Sequence, residues 1–501
     1  MIGSLPPSAV PSTADDTRFF GHPRGLATLY FTEMWERFSY YGMRALLILF
    51  MTATVANGGL GFNTDKAGAI YGLYTAMAYL ACLPGGWIAD RILGARRSVL
   101  YGGIVIACGH FFMAVPTIAT FYFGLVLIVI GTGLLKPNVS TMVGSLYAPG
   151  DSRRDAAFSI FYMGINVGAF LSPLACGYVG EKVNWHWGFG LAGIGMTAGL
   201  VQYMLGAKNL GTAGLYPCTV GDPVAGASDR RRLLYGILIM AAIAVATIAT
   251  AATGVLPVTP NNLADVVGMG LIIVTAVLFG WLIFFAGNMP AERNRFIVIF
   301  VLFVAATFFW AVYEQAGSTL NLFAERNTDR VILGYEYPAS WFQSVNSFFI
   351  FGLAPALAWL WVRLGKRDPS SPAKFSLGLM LVGLSFVVMV LGAIRSAGGT
   401  HVSSAYLWIC YFIQTVGELL LSPVGLSAMT KLAPVRFCGL IMGIWFLATS
   451  LGNYIAGRLA SLYETFSLPN LFGLGAAITI GLGLVLALLV RPIRRMIGAP
   501  H

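Results

Sequence analysis

Residues 31–44, FTEMWERFSYYGMR, place four charges inside a segment (26–51) that is otherwise apolar enough to span a membrane. Each charge would cost about 2.5–3.5 kcal/mol if it faced lipid. At 100° per residue, the polar residues of this segment fall within an arc of roughly 140°. They are Glu33, Glu36, Arg37, Tyr40, Tyr41 and Arg44. The spacing therefore predicts an amphipathic membrane helix whose polar face turns away from lipid, toward the protein interior.

Three more charges stand in other apolar segments: Lys136, Glu314 and Glu418. If all seven share one cavity, four carboxylates face three cations, and one carboxylate is in excess. A carboxylate in a low dielectric beside other carboxylates binds a proton readily, which suits a proton carrier. The alternative is a structural ion pair, which Glu33 and Arg37 could form alone at i,i+4.

The absence of one sequence motif bears on the source of energy that moves a proton carrier of this kind. There is no GxxxxGK[ST] phosphate-binding loop, which argues against ATP as the driver. A proton gradient is the natural alternative, at about 2.3 kcal/mol per charge for each 100 mV of membrane potential. The six cysteines stand singly without metal-ligand spacing, so no metal and no other cofactor is predicted, the proton being the coupling ion.

Composition places these charges in a polytopic membrane protein. Of 501 residues, 57% are hydrophobic and only 10% are charged, against roughly 25% charged in soluble domains. The net charge of +11 comes from basic residues concentrated in alternate loops, such as Arg96 with Arg97 and Arg230 with Arg231. This pattern predicts that both termini are cytoplasmic, and it argues against a nucleic-acid partner. The first span is expected to act as the insertion signal.

Fourteen apolar runs are long enough to span the bilayer. They lie near 26–52, 67–90, 97–118, 121–145, 155–179, 186–207, 233–254, 264–288, 295–317, 339–362, 374–396, 404–430, 437–461 and 469–491. Their grouping as six, two and six predicts an N-terminal tail (1–24), a six-helix half (25–207), a linker with two extra helices (208–292), a second six-helix half (293–491) and a C-terminal tail (492–501). The two middle helices lack interior charges and are expected to be peripheral.

Short sequence echoes suggest that the two halves are duplicates. RILGARR (91–97) resembles VRLGKR (362–367), LLKP (134–137) resembles LLSP (420–423), and MGI (163–165) recurs at 442–444. The three echoes keep the same order at similar spacing. Halves of this kind are expected to form a binding site at their interface, near the bilayer midplane. Pro137 and Pro423, close to the buried charges, are expected to permit helix bending.

GGWIADRILGARR (85–97) resembles the GxxxDRxGRR loop of the major facilitator superfamily. The resemblance implies a conformational gating loop formed by Gly86, Asp90, Arg91 and Arg97, in which Asp90 meets an arginine or a helix N-terminus as the halves rock. A basic loop that only sets topology is the alternative.

Two longer motifs resemble those of the proton-coupled oligopeptide transporters. EMWERFSYYG (33–42) matches ExxERFxYYG, and FYMGINVGAF (161–170) resembles FYxxINxGSL, departing at Ala169 and Phe170. The resemblance extends over essentially the whole chain. It implies an all-α major facilitator fold of two six-helix halves plus two extra central helices, as in bacterial members. It also implies a multi-pass protein of the bacterial inner membrane that carries di- and tripeptides with protons, and the chain is expected to be a monomer.

The resemblance also implies residue roles. Proton coupling falls to Glu33, Glu36, Arg37, Lys136 and Glu314. Arg44 and Lys136 would receive the carboxylate of the peptide, and Glu418 with Asn346 its amino terminus. The remaining pocket residues would be Tyr40, Tyr41, Tyr79, Asn166, Trp310, Ser422 and Trp445, for which ordinary packing is the alternative.

One departure concerns proton handling. Animal members have a histidine in the second span, but IYGLY (70–74) has none, so protons are expected to move on carboxylates. His110, in the third span, is read as structural or exposed.

Two other functions compete with peptide transport. Plant relatives in the family carry nitrate, but the complete ExxER triplet together with Glu418 favours peptides. A non-transporting receptor or channel on the same fold is disfavoured because the chain has no large soluble domain.

Overall fold

The computed structural model describes residues 16–148, 150–217, 223–253, 259–287, 289–434 and 437–496, and it is dominated by α-helices. The α-helices are α1 Arg24–Thr52, α2 Thr64–Leu80, α3 Cys82–Ile88, α4 Ala95–Met113, α5 Ile118–Ser145, α6 Arg153–Lys182, α7 Trp185–Gly206, α8 Pro223–Ala252, α9 Pro260–Trp281, α10 Pro290–Tyr313, α11 Thr319–Arg326, α12 Gln343–Leu364, α13 Ser371–Ser396, α14 Ala405–Leu432, α15 Cys438–Ser461 and α16 Leu468–Met496.

Short elements complete the architecture. The 3₁₀ turns are Val55–Asn57, Ala207–Leu210, Glu314–Gly317, Ala339–Phe342 and Gly365–Arg367, and the π-helical turns are Ala89–Leu93 and Leu282–Ala286. The strands are β1 Thr328–Asp329, β2 Val331–Ile332, β3 Tyr335–Glu336 and β4 Val402–Ser403. β1 pairs with β4 in parallel, Thr328 opposite Val402, and β2 pairs with β3 antiparallel, Val331 opposite Glu336.

Within the described residues, every predicted span coincides with a helix or with consecutive helical pieces. The second span combines α2, α3 and a π-helical turn, and the ninth combines α10 with a 3₁₀ turn. α11 begins after the predicted end of the ninth span at residue 317. Eleven of the described helical segments are long and apolar enough to cross a membrane by composition alone. α1 is not among them; it contains Glu33, Glu36, Arg37 and Arg44. The predicted all-α membrane fold with two extra central helices is confirmed.

The described residues pack into two units. The first unit comprises the described parts of 1–43, 81–180 and 186–258, and the second comprises those of 44–80, 181–185 and 259–501. α1 contributes to both, dividing between Met43 and Arg44. The domain boundaries predicted from the sequence stay a prediction. Residues 1–15 and 497–501, parts of the two predicted tails, lie outside the described residues, as does Cys218.

Each unit has its own buried core. In the first unit, Leu29 of α1, Ile106 of α4, Val139 of α5 and Met196 of α7 belong to one apolar cluster and are at most 1% exposed. In the second unit, buried phenylalanines hold α11, α13 and α16 together. The Phe472 ring lies 5.7 Å from Phe323 and 5.5 Å from Phe386, both edge-on.

The repeated loop sequences share one backbone feature, a glycine with positive φ. Gly94 of RILGARR and Gly365 of VRLGKR both have positive φ, 79° and 49°, at the point where one helical segment ends. Glycine occupies such conformations without a steric cost. Pro137 and Pro423 lie inside helices that continue on both sides of them, α5 and α14.

The two central helices are anchored by acidic residues near their starts. In the first unit, buried Asp229 of α8 lies 3.6 Å from Arg91 in the π-helical turn and 3.3 Å from Arg232. In the second unit, Asp265 of α9 lies 3.1 Å from Arg458 of α15. The acidic residues of α8 and α9 therefore lie near the helix ends and not in the apolar interior of the two helices.

Candidate functional site

In the first unit, the charged residues of α1 form a buried ion-pair group. Arg37 Nε lies 3.2 Å from Glu33 Oε1 and also pairs with Glu36 Oε2. Glu33, Glu36 and Arg37 are 3%, 0% and 2% exposed. Their i, i+3 and i+4 spacing puts them on one helix face, as the sequence predicts, and their burial directs that face into protein.

The group extends through an aromatic pair and a lysine. The guanidinium carbon of Arg37 lies 5.1 Å from the Tyr40 ring and 6.0 Å from the Tyr41 ring, within cation–π range. Lys136 of α5 interacts electrostatically with both carboxylates. Two carboxylates thus face two cations, and the group is balanced in charge when all four are ionised.

One oxygen of each of the two α1 carboxylates, Glu33 and Glu36, lacks a hydrogen bond within the described residues. Among the described residues, the buried atoms Glu33 Oε2 and Glu36 Oε1 have no hydrogen-bond partner. An unsatisfied buried acceptor costs free energy, and more so on an anion.

In the second unit, Arg44 is held by an acid and a phenol. Its Nη2 lies 2.5 Å from Glu314 Oε2 and donates to the Glu314 carbonyl at 3.2 Å. Its Nε donates to the Tyr71 hydroxyl oxygen at 2.7 Å. Arg44 and Glu314 are 5% and 4% exposed. Arg44, to which the resemblance assigns the peptide carboxylate, is thus paired with a protein carboxylate.

Glu418 of α14 is held by neutral donors. The Tyr313 hydroxyl donates to Glu418 Oε2 at 2.6 Å, and Asn346 Nδ2 donates to the same oxygen at 3.0 Å. Asn346 Nδ2 also donates to Thr415 Oγ1 at 3.0 Å. Asn346, which the resemblance assigns to the same end of the peptide as Glu418, thus contacts Glu418 directly. In the second unit, Arg44 and Glu314 therefore form an ion pair, whereas Glu418 is held by neutral donors.

The local backbone explains how adjacent side chains reach different partners. α10 ends at Tyr313, and a 3₁₀ turn begins at Glu314. Tyr313 contacts Glu418, while Glu314 contacts Arg44. The end of α10 therefore connects the proposed anion-binding and cation-binding residues of the second unit.

The other predicted pocket residues vary in placement. The Trp310 ring packs edge-on against Tyr313 at 5.4 Å, beside Glu418's partner. Asn166 donates to the Tyr162 carbonyl of its own helix at 3.0 Å. Trp445 is buried, and Tyr79 and Ser422 are half-buried.

The predicted gating loop contains the π-helical turn Ala89–Leu93. Asp90, Arg91 and Arg97 are exposed, and Arg91 pairs with Asp229. A Cβ on Gly86 would meet only Pro137 Cβ, at 3.9 Å, whereas a Cβ on the neighbouring Gly85 would lie 1.9 Å from the Gly133 carbonyl oxygen. His110, read from the sequence as structural or exposed, is fully buried.

Sequence reasoning missed three polar partners: Tyr71, Tyr313 and Asp229. Tyr71 belongs to IYGLY, which contains no charged residue that would mark it as part of a polar site. Tyr313 directly precedes Glu314, so its proximity to a buried charge was available as a signal. Asp229 precedes a run of three arginines and reads as part of a solvated loop.

The helices of the described residues cover the predicted spans and contain buried ion pairs, and this fold is that of the major facilitator class of transporters. A sequence profile described as the POT family matches residues 96–474. The chain belongs to the POT family, the proton-coupled oligopeptide transporters that its motifs resemble.

Close relatives span nearly the full length. Peptide transporter YePEPT of Yersinia enterocolitica subsp. palearctica is 43% identical, covering 97% of this chain and 98% of the relative. The di-/tripeptide transporter of Lactococcus lactis subsp. cremoris is 38% identical, covering 96% and 97%. A crystal structure of peptide transporter POT in complex with sulfate superposes with a TM-score of 0.90 at 44% identity, covering 96% of this chain and 98% of that one.

Proposed function

We propose that this protein carries di- and tripeptides into the cell together with protons, by alternating access. The observation that carries the proposal is the arrangement in the second unit, where Arg44 is paired with Glu314 and Glu418 is held by Tyr313 and Asn346. The relatives described as peptide and di-/tripeptide transporters support the substrate class.

A peptide has one anionic and one cationic end, separated by side chains that vary. Arg44 is proposed to bind the terminal carboxylate, because a guanidinium binds carboxylates through paired hydrogen bonds. Glu418 is proposed to bind the terminal ammonium, since its carboxylate is oriented by two donors but has no cationic partner among the described residues. Such a clamp selects peptides by their length and their terminal charges, and it places little restriction on the peptide sequence.

The Arg44–Glu314 pair supports a specific link between protons and substrate. While Glu314 is ionised, it competes with a peptide carboxylate for the same guanidinium. Protonation of Glu314 weakens that pair, so Arg44 becomes available to the peptide. Two ligands that act on one residue are thermodynamically linked, and each changes the affinity for the other.

Glu33, Glu36, Arg37 and Lys136 are proposed as the second proton-linked group. Protonation of either carboxylate leaves Arg37 and Lys136 with excess positive charge, so the ion pairs rearrange. The loop containing Gly86, Asp90, Arg91 and Arg97 is proposed to exchange its contacts, including that with Asp229, as the halves 25–207 and 293–491 rock. The protein is proposed to act as a monomer in the bacterial inner membrane, with both termini cytoplasmic.

Competition for labelled dialanine uptake in proteoliposomes tests the clamp. Unlabelled dialanine is compared with its N-acetyl and C-amide forms. Each blocked form should compete at least ten-fold less well, because it leaves a buried charge unpaired. Equal competition by all three would remove the clamp. Uptake of nitrate with no peptide uptake would instead favour the anion-transport alternative, and no uptake of either would favour a receptor or channel.

A further inference from the structure

An open groove of about 930 Å³ runs along the first unit between α1 and α7. This volume is near the upper end of ligand sites, roughly 300–1,000 Å³. The groove is mostly apolar, with Phe31 on α1 and Ile194, Val201 and Leu205 on α7 among its walls. It is distinct from the proposed peptide-binding and proton-binding residues, none of which lines it.

The walls of the groove face the lipid. Leu205 is 73% exposed, Ile194 59% and Val201 47%, although they lie on a helix long and apolar enough to span the membrane. From Ile194 to Asn209 the groove is about 22 Å long at 1.5 Å per residue. One leaflet with its headgroup region is about 20–22 Å thick. The groove thus has the length of a single phospholipid.

One end of the groove is basic. Arg18 and Arg24 line it, with side chains 63% and 47% exposed. Asp16 lies 2.8 Å from Arg18 and 3.5 Å from Arg24, so one carboxylate faces two guanidinium groups. Exposed Lys208, next to the lining residue Asn209, adds a further positive charge. The end therefore keeps a net positive charge where a lipid headgroup would lie.

We propose that this groove binds an anionic phospholipid, with an acyl chain along Phe31, Val201 and Leu205 and the phosphate between Arg18 and Arg24. Guanidinium groups bind phosphate oxygens in paired geometry. The loop charges place this end at the cytoplasmic face, whose leaflet is rich in anionic lipid. A headgroup with net negative charge is favoured over a zwitterionic one because the phosphate must compete with Asp16 for the arginines.

The test measures lipid binding to the full-length detergent-solubilised protein by native mass spectrometry. Phosphatidylglycerol is titrated against phosphatidylcholine with the same acyl chains. Each basic residue near a membrane surface contributes about five-fold in affinity, so Arg18→Gln/Arg24→Gln should weaken phosphatidylglycerol binding by roughly ten- to thirty-fold. Phosphatidylcholine binding should change little. Ala198→Phe, which fills the groove, should weaken both lipids.

Two comparison variants make the outcome decisive. Arg230→Gln/Arg231→Gln removes two exposed arginines from the same predicted face, outside the groove, and should leave lipid binding unchanged. Asp16→Asn keeps an acceptor for the Arg24 backbone N–H, now at 3.2 Å, but removes the competing charge, and should strengthen phosphatidylglycerol binding. Equal loss in the control double variant, weaker binding in Asp16→Asn, or no preference for phosphatidylglycerol in the wild type would each overturn the proposal.

Discussion

The proposed coupling of protons to transport depends on individual buried carboxylates, and Glu33 and Glu36 allow the most direct test. Glu33→Gln or Glu36→Gln mimics permanent protonation with little change in volume. We expect each variant to keep peptide-for-peptide exchange within about two-fold, because exchange needs no net proton movement. Uptake driven by a pH gradient should fall at least ten-fold, within the usual range of coupling energies.

The measurement compares counterflow with gradient-driven uptake in the same proteoliposomes. Glu464→Gln is a suitable control, since its carboxylate is half exposed and pairs with Arg326 at the surface. If exchange and gradient-driven uptake fall together in well-folded Glu33 or Glu36 variants, these residues bind substrate or hold the structure, and the proton-coupling role is wrong.

Tyr313 carries a second prediction at this scale. Its hydroxyl donates to Glu418 at 2.6 Å, and a hydrogen bond to a charged group contributes about 1.5–3 kcal/mol. Tyr313→Phe should therefore weaken binding of dialanine roughly ten-fold or more, because Glu418 loses a donor that orients its anion. N-acetyl-dialanine, which lacks the ammonium group, should be affected far less.

Isothermal titration or competition with labelled dialanine provides the readout, and Tyr101→Phe, at an exposed position on α4, is the matched control. An equal loss for the free and acetylated peptides would show that Tyr313 acts on the pocket as a whole and not through Glu418.

At the scale of elements, the approach of α3 to α5 depends on one glycine of an adjacent pair. A Cβ on Gly85 would lie 1.9 Å from the Gly133 carbonyl oxygen, whereas one on Gly86 would meet only Pro137 Cβ at 3.9 Å. Gly85→Ala should therefore lower the free energy of unfolding by about 1–3 kcal/mol, the usual cost of overpacking.

Gly86→Ala is the built-in control, since its contact is an ordinary van der Waals distance. Thermal unfolding of both purified variants in the same detergent should show a lower midpoint for Gly85→Ala alone. Matching midpoints would mean that α3 and α5 shift apart at little cost.

At the scale of the whole molecule, the central helices are expected to make no contact with substrate. The α8 residues Ile239 and Ile243 and the α9 residues Val266 and Ile273 are all more than half exposed, as lipid-facing residues are. A cysteine scan of 233–254 and 264–288 should show no protection by dialanine. A cysteine in place of Ser422, a proposed pocket residue on α14, should be protected. Protection at several positions of α8 or α9 would refute the peripheral role.

Hydropathy and helical periodicity, read from the sequence alone, were sufficient for the helices and for the polar face of α1. Both are local properties, since a span needs about 20 apolar residues and a helix brings residues three and four apart onto one face. The i,i+4 spacing allows an ion pair between Glu33 and Arg37, and the structure contains it. The family motifs added the residue types of the site.

Only the tertiary structure decided which charges meet. Arg44 is 270 residues from Glu314 and 27 from Tyr71, and Tyr313 is 105 from Glu418. No local pattern encodes such pairings, because they depend on how helices distant in sequence pack and rotate. Of the seven charges, Glu33, Glu36, Arg37 and Lys136 belong to the first unit, and Arg44, Glu314 and Glu418 belong to the second. Helix packing also pairs Arg44 with the Glu314 carboxylate. We propose that this carboxylate and that of the peptide compete for one guanidinium, so that protonation of Glu314 favours peptide binding.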